Sequence, residues 1–167
     1  DGPEGEPARR FLRELLARRL SAAPGAQAAV VEQNPGRQAD SSTVLPPEIL
    51  SVVDEAIRWS GGVPRTFLQL VANARTYARL RGSAWPKSSD LADAVAAQRD
   101  SFRRVLLPGD PAAIRAAEGT DGRQLHPDRR ARLMAHGVLL EKLYERRPVL
   151  SIHPLARASL DQGAADA

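Results

Sequence analysis

The sequence has no cysteine, which excludes disulfide scaffolds, thiolate zinc sites and cysteine nucleophiles. It has no apolar run of the about 18 residues that a membrane-spanning helix requires. Aromatic residues are few, with three Phe, two Trp and two Tyr, and that speaks against a β protein. Lysine is nearly absent: of 24 basic residues only Lys87 and Lys142 are lysines. Neither follows a glycine. The Gly-Lys-Ser/Thr ending of a phosphate-binding loop, whose backbone amides cradle phosphates while Lys neutralises them, therefore does not occur. The stretch from Asp1 to Pro7 lacks the basic segment and apolar core of a secretory signal. These absences together lead us to expect a soluble protein of a reducing compartment, placed in the cytoplasm.

What is present is mainly Ala, Leu and Arg, all good helix formers. We expect a mainly α chain. Its 167 residues suffice for one ordinary domain or two small ones. The excess of arginine over lysine reads as the coding bias of a GC-rich genome, not as a functional signal. A net charge of +4 with a pI near 10.3 permits a polyanionic partner without demanding one.

The periodicity predicts a first helix over 8–20, with Phe11, Leu12, Leu15, Leu16 and Leu20 on one face. Residues 21–44 lose that pattern and carry Ala23-Pro24-Gly25 and Asn34-Pro35-Gly36, so a long, mobile connection is expected there. Pro46 and Pro47 suit the first turn of a second helix carrying Ile49, Val52, Val53, Ala56 and Ile57, stopped by Gly61-Gly62. Pro64 opens a third helix running to Gly82. Ser88 or Ser89 is a good N-cap for a fourth, with Leu91, Val95, Phe102 and Leu106. Two short helices, Pro111–Glu118 and Pro127–His136, come next. A strand from Val138 to Tyr144, a turn over Glu145–Pro148 and a strand from Val149 to His153 then form a hairpin. A last helix spans Pro154–Leu160, and residues 1–7 and 161–167 are expected to fray.

Catalytic chemistry finds little support. His126, His136 and His153 lack metal-ligand spacing, and each reads as a surface or strand-end histidine, so no metal site is expected. No Gly-x-Ser-x-Gly nucleophile elbow occurs. No catalytic residue is assigned, and the chain alone is not expected to be an enzyme.

The informative segment is Ser60-Gly61-Gly62-Val63-Pro64-Arg65-Thr66-Phe67. Two glycines and a proline stop one helix and start the next. Arg65 falls in the first turn of the new helix, where the macrodipole disfavours a cation by some tenths of a kcal/mol. Such an arginine is solvated, pairs with Asp54 or Glu55, or meets an external anion.

In sequence order, Leu12-Arg13-Glu14-Leu15-Leu16, Leu45-Pro46-Pro47-Glu48-Ile49-Leu50, Ser60–Arg65, Ala74–Leu80 and Ser89-Asp90-Leu91-Ala92-Asp93-Ala94-Val95 resemble the helical lid of AAA+ and STAND-type ATPases. They are most similar to origin-recognition-type initiators and bacterial signalling ATPases. In those families a Gly-x-x-Arg at the start of a lid helix is the second sensor, and the resemblance assigns that nucleotide-sensing role to Arg65. It covers roughly residues 8–160, while Walker A, Walker B and the first sensor are missing and the 21–44 connection does not align. The resemblance implies a regulatory C-terminal region that works with a nucleotide-binding core, in the same parent chain or in trans. ATP and Mg would belong to that longer parent. An opening at Asp1 without methionine adds the expectation that the chain is cut from a longer protein.

A winged helix commonly follows such a lid, and three helices followed by a hairpin match that order. The expected architecture is a helical lid-like bundle over 8–107 and a winged-helix subdomain with a small β-hairpin over 108–160. Arg129, Arg132 and His136 share one stripe of the helix from Pro127 to His136, expected to be exposed, and Arg146 and Arg147 fall at the hairpin tip. These five residues are the candidate contacts to duplex DNA. Residues 99–147 carry 11 basic and seven acidic residues, which allows that partner. A solvated arginine face or a protein contact fits the same pattern. A third reading is a plain interaction module, whose first helix would expose its apolar face and self-associate.

Overall fold

The structure, a computed structural model, describes residues 6–21 and 47–163. The described residues form seven helices and one two-stranded hairpin: α1 (Glu6–Ser21), α2 (Pro47–Trp59), α3 (Pro64–Leu80), α4 (Ser88–Val105), α5 (Asp110–Ala117), α6 (Pro127–Ala135), β1 (Leu139–Tyr144), β2 (Arg147–Ile152) and α7 (Pro154–Gly163). The chain is thus mainly α with a small antiparallel hairpin, as its composition predicts. The expected mobile connection lies almost wholly outside the described residues, as do residues 1–5 and 164–167. Two ends expected to fray are partly helical, because α1 begins at Glu6 and α7 continues to Gly163.

The described residues divide into two compact units, one of residues 6–21, 47–58 and 62–91, the other of residues 59–61 and 92–163. The packing division falls within α4, between Leu91 and Ala92, whereas the sequence reading draws its boundary at 107/108. The reason lies in what the second part of α4 touches. Phe102 stacks on His153 with ring centroids 4.9 Å apart. Arg99 donates to the Ala158 carbonyl at 3.1 Å, and the Ser159 hydroxyl returns a bond to the Arg99 carbonyl at 3.2 Å.

In the first unit α1 packs on α3, and Leu12 and Leu16 are buried beside a core that includes Val52, Val53, Phe67 and Leu70. Of the face that the interaction-module reading would leave open, Leu12 and Leu16 are thus covered, Leu15 is partly covered and Phe11 is exposed. Arg13 clamps Asp54 of α2, donating from Nε at 2.9 Å and Nη2 at 2.6 Å to one carboxylate oxygen. Neither serine proposed as N-cap is the group that closes the start of α4. The Asp90 carboxylate, buried and paired with Arg81, reaches back to the Lys87 N–H at 2.8 Å.

In the second unit β1 and β2 pair antiparallel from Leu139↔Ile152 to Tyr144↔Arg147. Only Glu145 and Arg146 form the turn, both left-handed with φ of 48° and 65°. Two positive φ values in succession match the strand twist, as in a type I′ turn. The four-residue turn expected over Glu145–Pro148 is therefore too long, and Arg147 and Pro148 belong to β2. Leu150 explains why Pro148 fits. Its N–H bonds the Thr120 carbonyl at 2.7 Å and its carbonyl accepts from Gly119 N–H at 2.9 Å, so its polar groups face away from β1. Pro148, two residues earlier, has the same orientation, and its missing N–H removes no bond to β1.

Gly61 and Gly62 have φ of 61° and 83°, values that cost an L side chain about 1 kcal/mol or more. At Gly61 a Cβ would also lie 2.7 Å from Pro154 Cδ, whereas at Gly62 it would meet open space. Gly61→Ala is expected to cost about 2 kcal/mol and Gly62→Ala about 1 kcal/mol. Chemical denaturation of the two variants checks the difference, and equal losses would contradict the close approach at Pro154.

Candidate functional site

Arg65 is exposed in the first turn of α3, one residue after Pro64. Val63 occupies the N-cap position but supplies no side-chain cap, and the first turn holds no acidic residue. The Phe67 N–H bonds the Val63 carbonyl at 3.0 Å. Pro64 has no N–H, so the first-turn donors outside the helix ladder are those of Arg65 and Thr66. Both acids named as candidate partners of Arg65 are engaged elsewhere. Asp54 is held by Arg13, and Glu55 lies 3.5 Å from Arg58. Among the described residues no acid pairs with Arg65. A guanidinium fork and two free N–H groups at the positive end of a helix dipole suit a phosphate oxygen. They form a point of contact and not a nucleotide pocket.

The five expected DNA contacts divide. Arg129 and Arg132 are not the exposed stripe that helical spacing indicated. Arg132 is 27% exposed and donates from Nη2 to Asp110 at 2.6 Å and from Nη1 to the Val105 carbonyl at 2.7 Å. Arg129, 40% exposed, places Nε 3.3 Å from the other Asp110 oxygen. Asp110 itself is fully buried and also accepts from the Leu107 N–H at 2.8 Å. The two cations neutralise a carboxylate at the start of α5, beside a shallow cleft of about 340 Å³ that His126 and Asp128 help line. His136 is exposed and occupies the C-cap of α6. The other two, Arg146 and Arg147, are exposed at the far end of the hairpin, one in the turn and one opening β2. No described group of three or more His, Cys, Asp or Glu could hold a metal ion.

His126 and His136 are exposed, whereas His153, directly after the end of β2 and so a strand-end histidine, is buried. Its Nδ1 accepts the Leu155 N–H at 3.2 Å, so the neutral ring carries its proton on Nε2. Nε2 makes no well-aligned hydrogen bond. Burial lowers the His153 pKa from 6.5 to about 4; a backbone contact at Ser60 pulls upward, and the Lys142 charge adds to the lowering. No signal in the sequence marks Asp110 or Asp90 as buried, except that each sits three residues after a backbone N–H that needs a partner at a helix start.

No described helix is long and apolar enough to cross a membrane. Comparison with protein-family models, curated proteins and solved structures found no match for the chain.

Proposed function

We propose that the chain is a regulatory, non-catalytic module that senses nucleotide through Arg65. A nucleotide-binding core, in the same polypeptide or in trans, would hold ATP and Mg, and Arg65 would reach the terminal phosphates. One observation carries this reading: Arg65 is an exposed cation at an uncapped helix start, with both nearby acids already engaged. An anion there relieves the unfavourable charge at the dipole's positive end. Arginine suits the task because its planar fork bonds several phosphate oxygens at once. The resemblance of Ser60–Arg65 and its flanking helices to an AAA+ or STAND lid points the same way. Contact of α6 with duplex DNA loses support, because Arg129 and Arg132 are spent on Asp110.

The test is Arg65→Ala in the polypeptide that carries this sequence in its own cells. A weakened response to ATP, by about tenfold or more for a lost charge-assisted contact, with unchanged thermal stability is expected. Unchanged ATP affinity and turnover would remove the assignment.

A further inference from the structure

The hairpin projects past its own core. Leu139, Leu150 and Ile152 are buried, whereas all residues from Glu141 to Pro148 are exposed. Its base is pinned by two hydrogen bonds between Leu150 and the Gly119–Thr120 backbone. Strand alternation then sorts the distal side chains by face. On one face stand Glu141, Leu143 and Pro148, with Glu141 held by Arg130 of α6 at 3.1 Å. On the other stand Lys142, Tyr144 and Arg147, with Tyr144 directly opposite Arg147 and Lys142 opposite Val149. That second face carries two cations, an aromatic ring that is 65% exposed, and no carboxylate. Arg146 adds a third cation in the turn and Glu145, beside it, an exposed carboxylate; both are held left-handed, where Asn or Gly would sit without strain.

We infer that this face binds single-stranded nucleic acid, with a base stacked on Tyr144 and backbone phosphates on Lys142, Arg146 and Arg147. The inference is independent of the role given to Arg65. Charge complementarity selects a polyanion, and an exposed ring between cations selects one with planar bases. A duplex would hide those bases, and α6, the helix that would enter a groove, presents Asp128, Ala131 and Ala135 to solvent while its arginines are engaged.

Fluorescence anisotropy of the 167-residue chain with a labelled 12-nucleotide oligothymidine tests this, beside a 12-base-pair duplex and a polyglutamate peptide. Saturable binding to the single strand is expected, with a log–log salt slope of about −2 for three phosphate contacts. Tyr144→Ala should weaken it about tenfold, while Tyr144→Phe, which keeps the ring, stays near wild type. Arg147→Ala should weaken binding and flatten the salt slope. Both substituted side chains are exposed, so the variants are expected to keep the wild-type circular dichroism. Absent binding, tighter binding of the duplex, capture of polyglutamate in place of the oligonucleotide, or indifference to Tyr144→Ala would each overturn the assignment.

Discussion

Replacing Asp110 with alanine is expected to lower the free energy of unfolding by about 3 kcal/mol. The carboxylate is fully buried and serves three partners at once: Arg132 at 2.6 Å, Arg129 at 3.3 Å and the Leu107 N–H at 2.8 Å. Removing it leaves the Leu107 N–H without that acceptor and Arg132 partly buried without its counter-charge. Losing one partner of a buried pair costs far more than the pair contributes relative to apolar residues. Arg129 is exposed enough to regain water, which keeps the figure at the lower end of what buried pairs show. Urea denaturation at neutral pH measures the loss, and a change under about 1 kcal/mol would contradict the burial of this network. The same variant frees two arginines on α6. If they were DNA contacts in hiding, Asp110→Ala would gain duplex affinity at low salt while losing stability.

The second large effect is a fall in stability as the solution is acidified, traceable to His153. Its folded pKa is about 4 against 6.5 for the free side chain. Between those values the unfolded chain binds a proton that the folded chain refuses, so stability rises with pH across this window. The contribution is fully present above pH 6.5 and is lost progressively down to about pH 4. A difference of this size corresponds to about 3 kcal/mol. Carboxylates titrate in the lower part of the window, so the decisive comparison is with His153→Phe, which keeps an aromatic ring against Phe102. Unfolding free energies at pH 7, 6, 5 and 4.5 should fall less steeply for the variant. Parallel curves would mean that His153 is protonated in the folded chain.

Which parts of this were legible in the sequence follows from where the physical causes lie. Helices α2, α3 and α6 are bounded by their own punctuation: Pro47, Gly61-Gly62, Pro64, Pro127 and Gly137 act on the residues beside them. The hairpin was legible from alternation, but its turn was not. Glu145-Arg146 adopts a conformation that Asn-Gly announces and that this pair does not. Arg129 and Arg132 were readable as a stripe. That Asp110 lies beneath them, 22 residues before Arg132, depends on how α5 packs and has no local signature. His153 follows the same logic, since a polar residue between Ile152 and Pro154 marks a strand end without showing that Phe102 covers it. The unit boundary within α4 was invisible because a continuous helix shows no break in composition. Arg65 is legible as a local conflict, because a cation in a first turn opposes the dipole, and the structure leaves it exposed there with no acidic residue in that turn.

The central claim is that Arg65 serves a nucleotide held by a core, and one measurement tests it most directly. The native protein is immunoprecipitated from its own cells under non-denaturing conditions, photolabelled with an ATP analogue, and resolved by size. The account predicts label on the polypeptide carrying this sequence, running well above 18.1 kDa, or on a nucleotide-binding protein that comes down with it, with Arg65→Ala weakening the labelling. A band near 18.1 kDa with no labelled protein beside it would contradict the account.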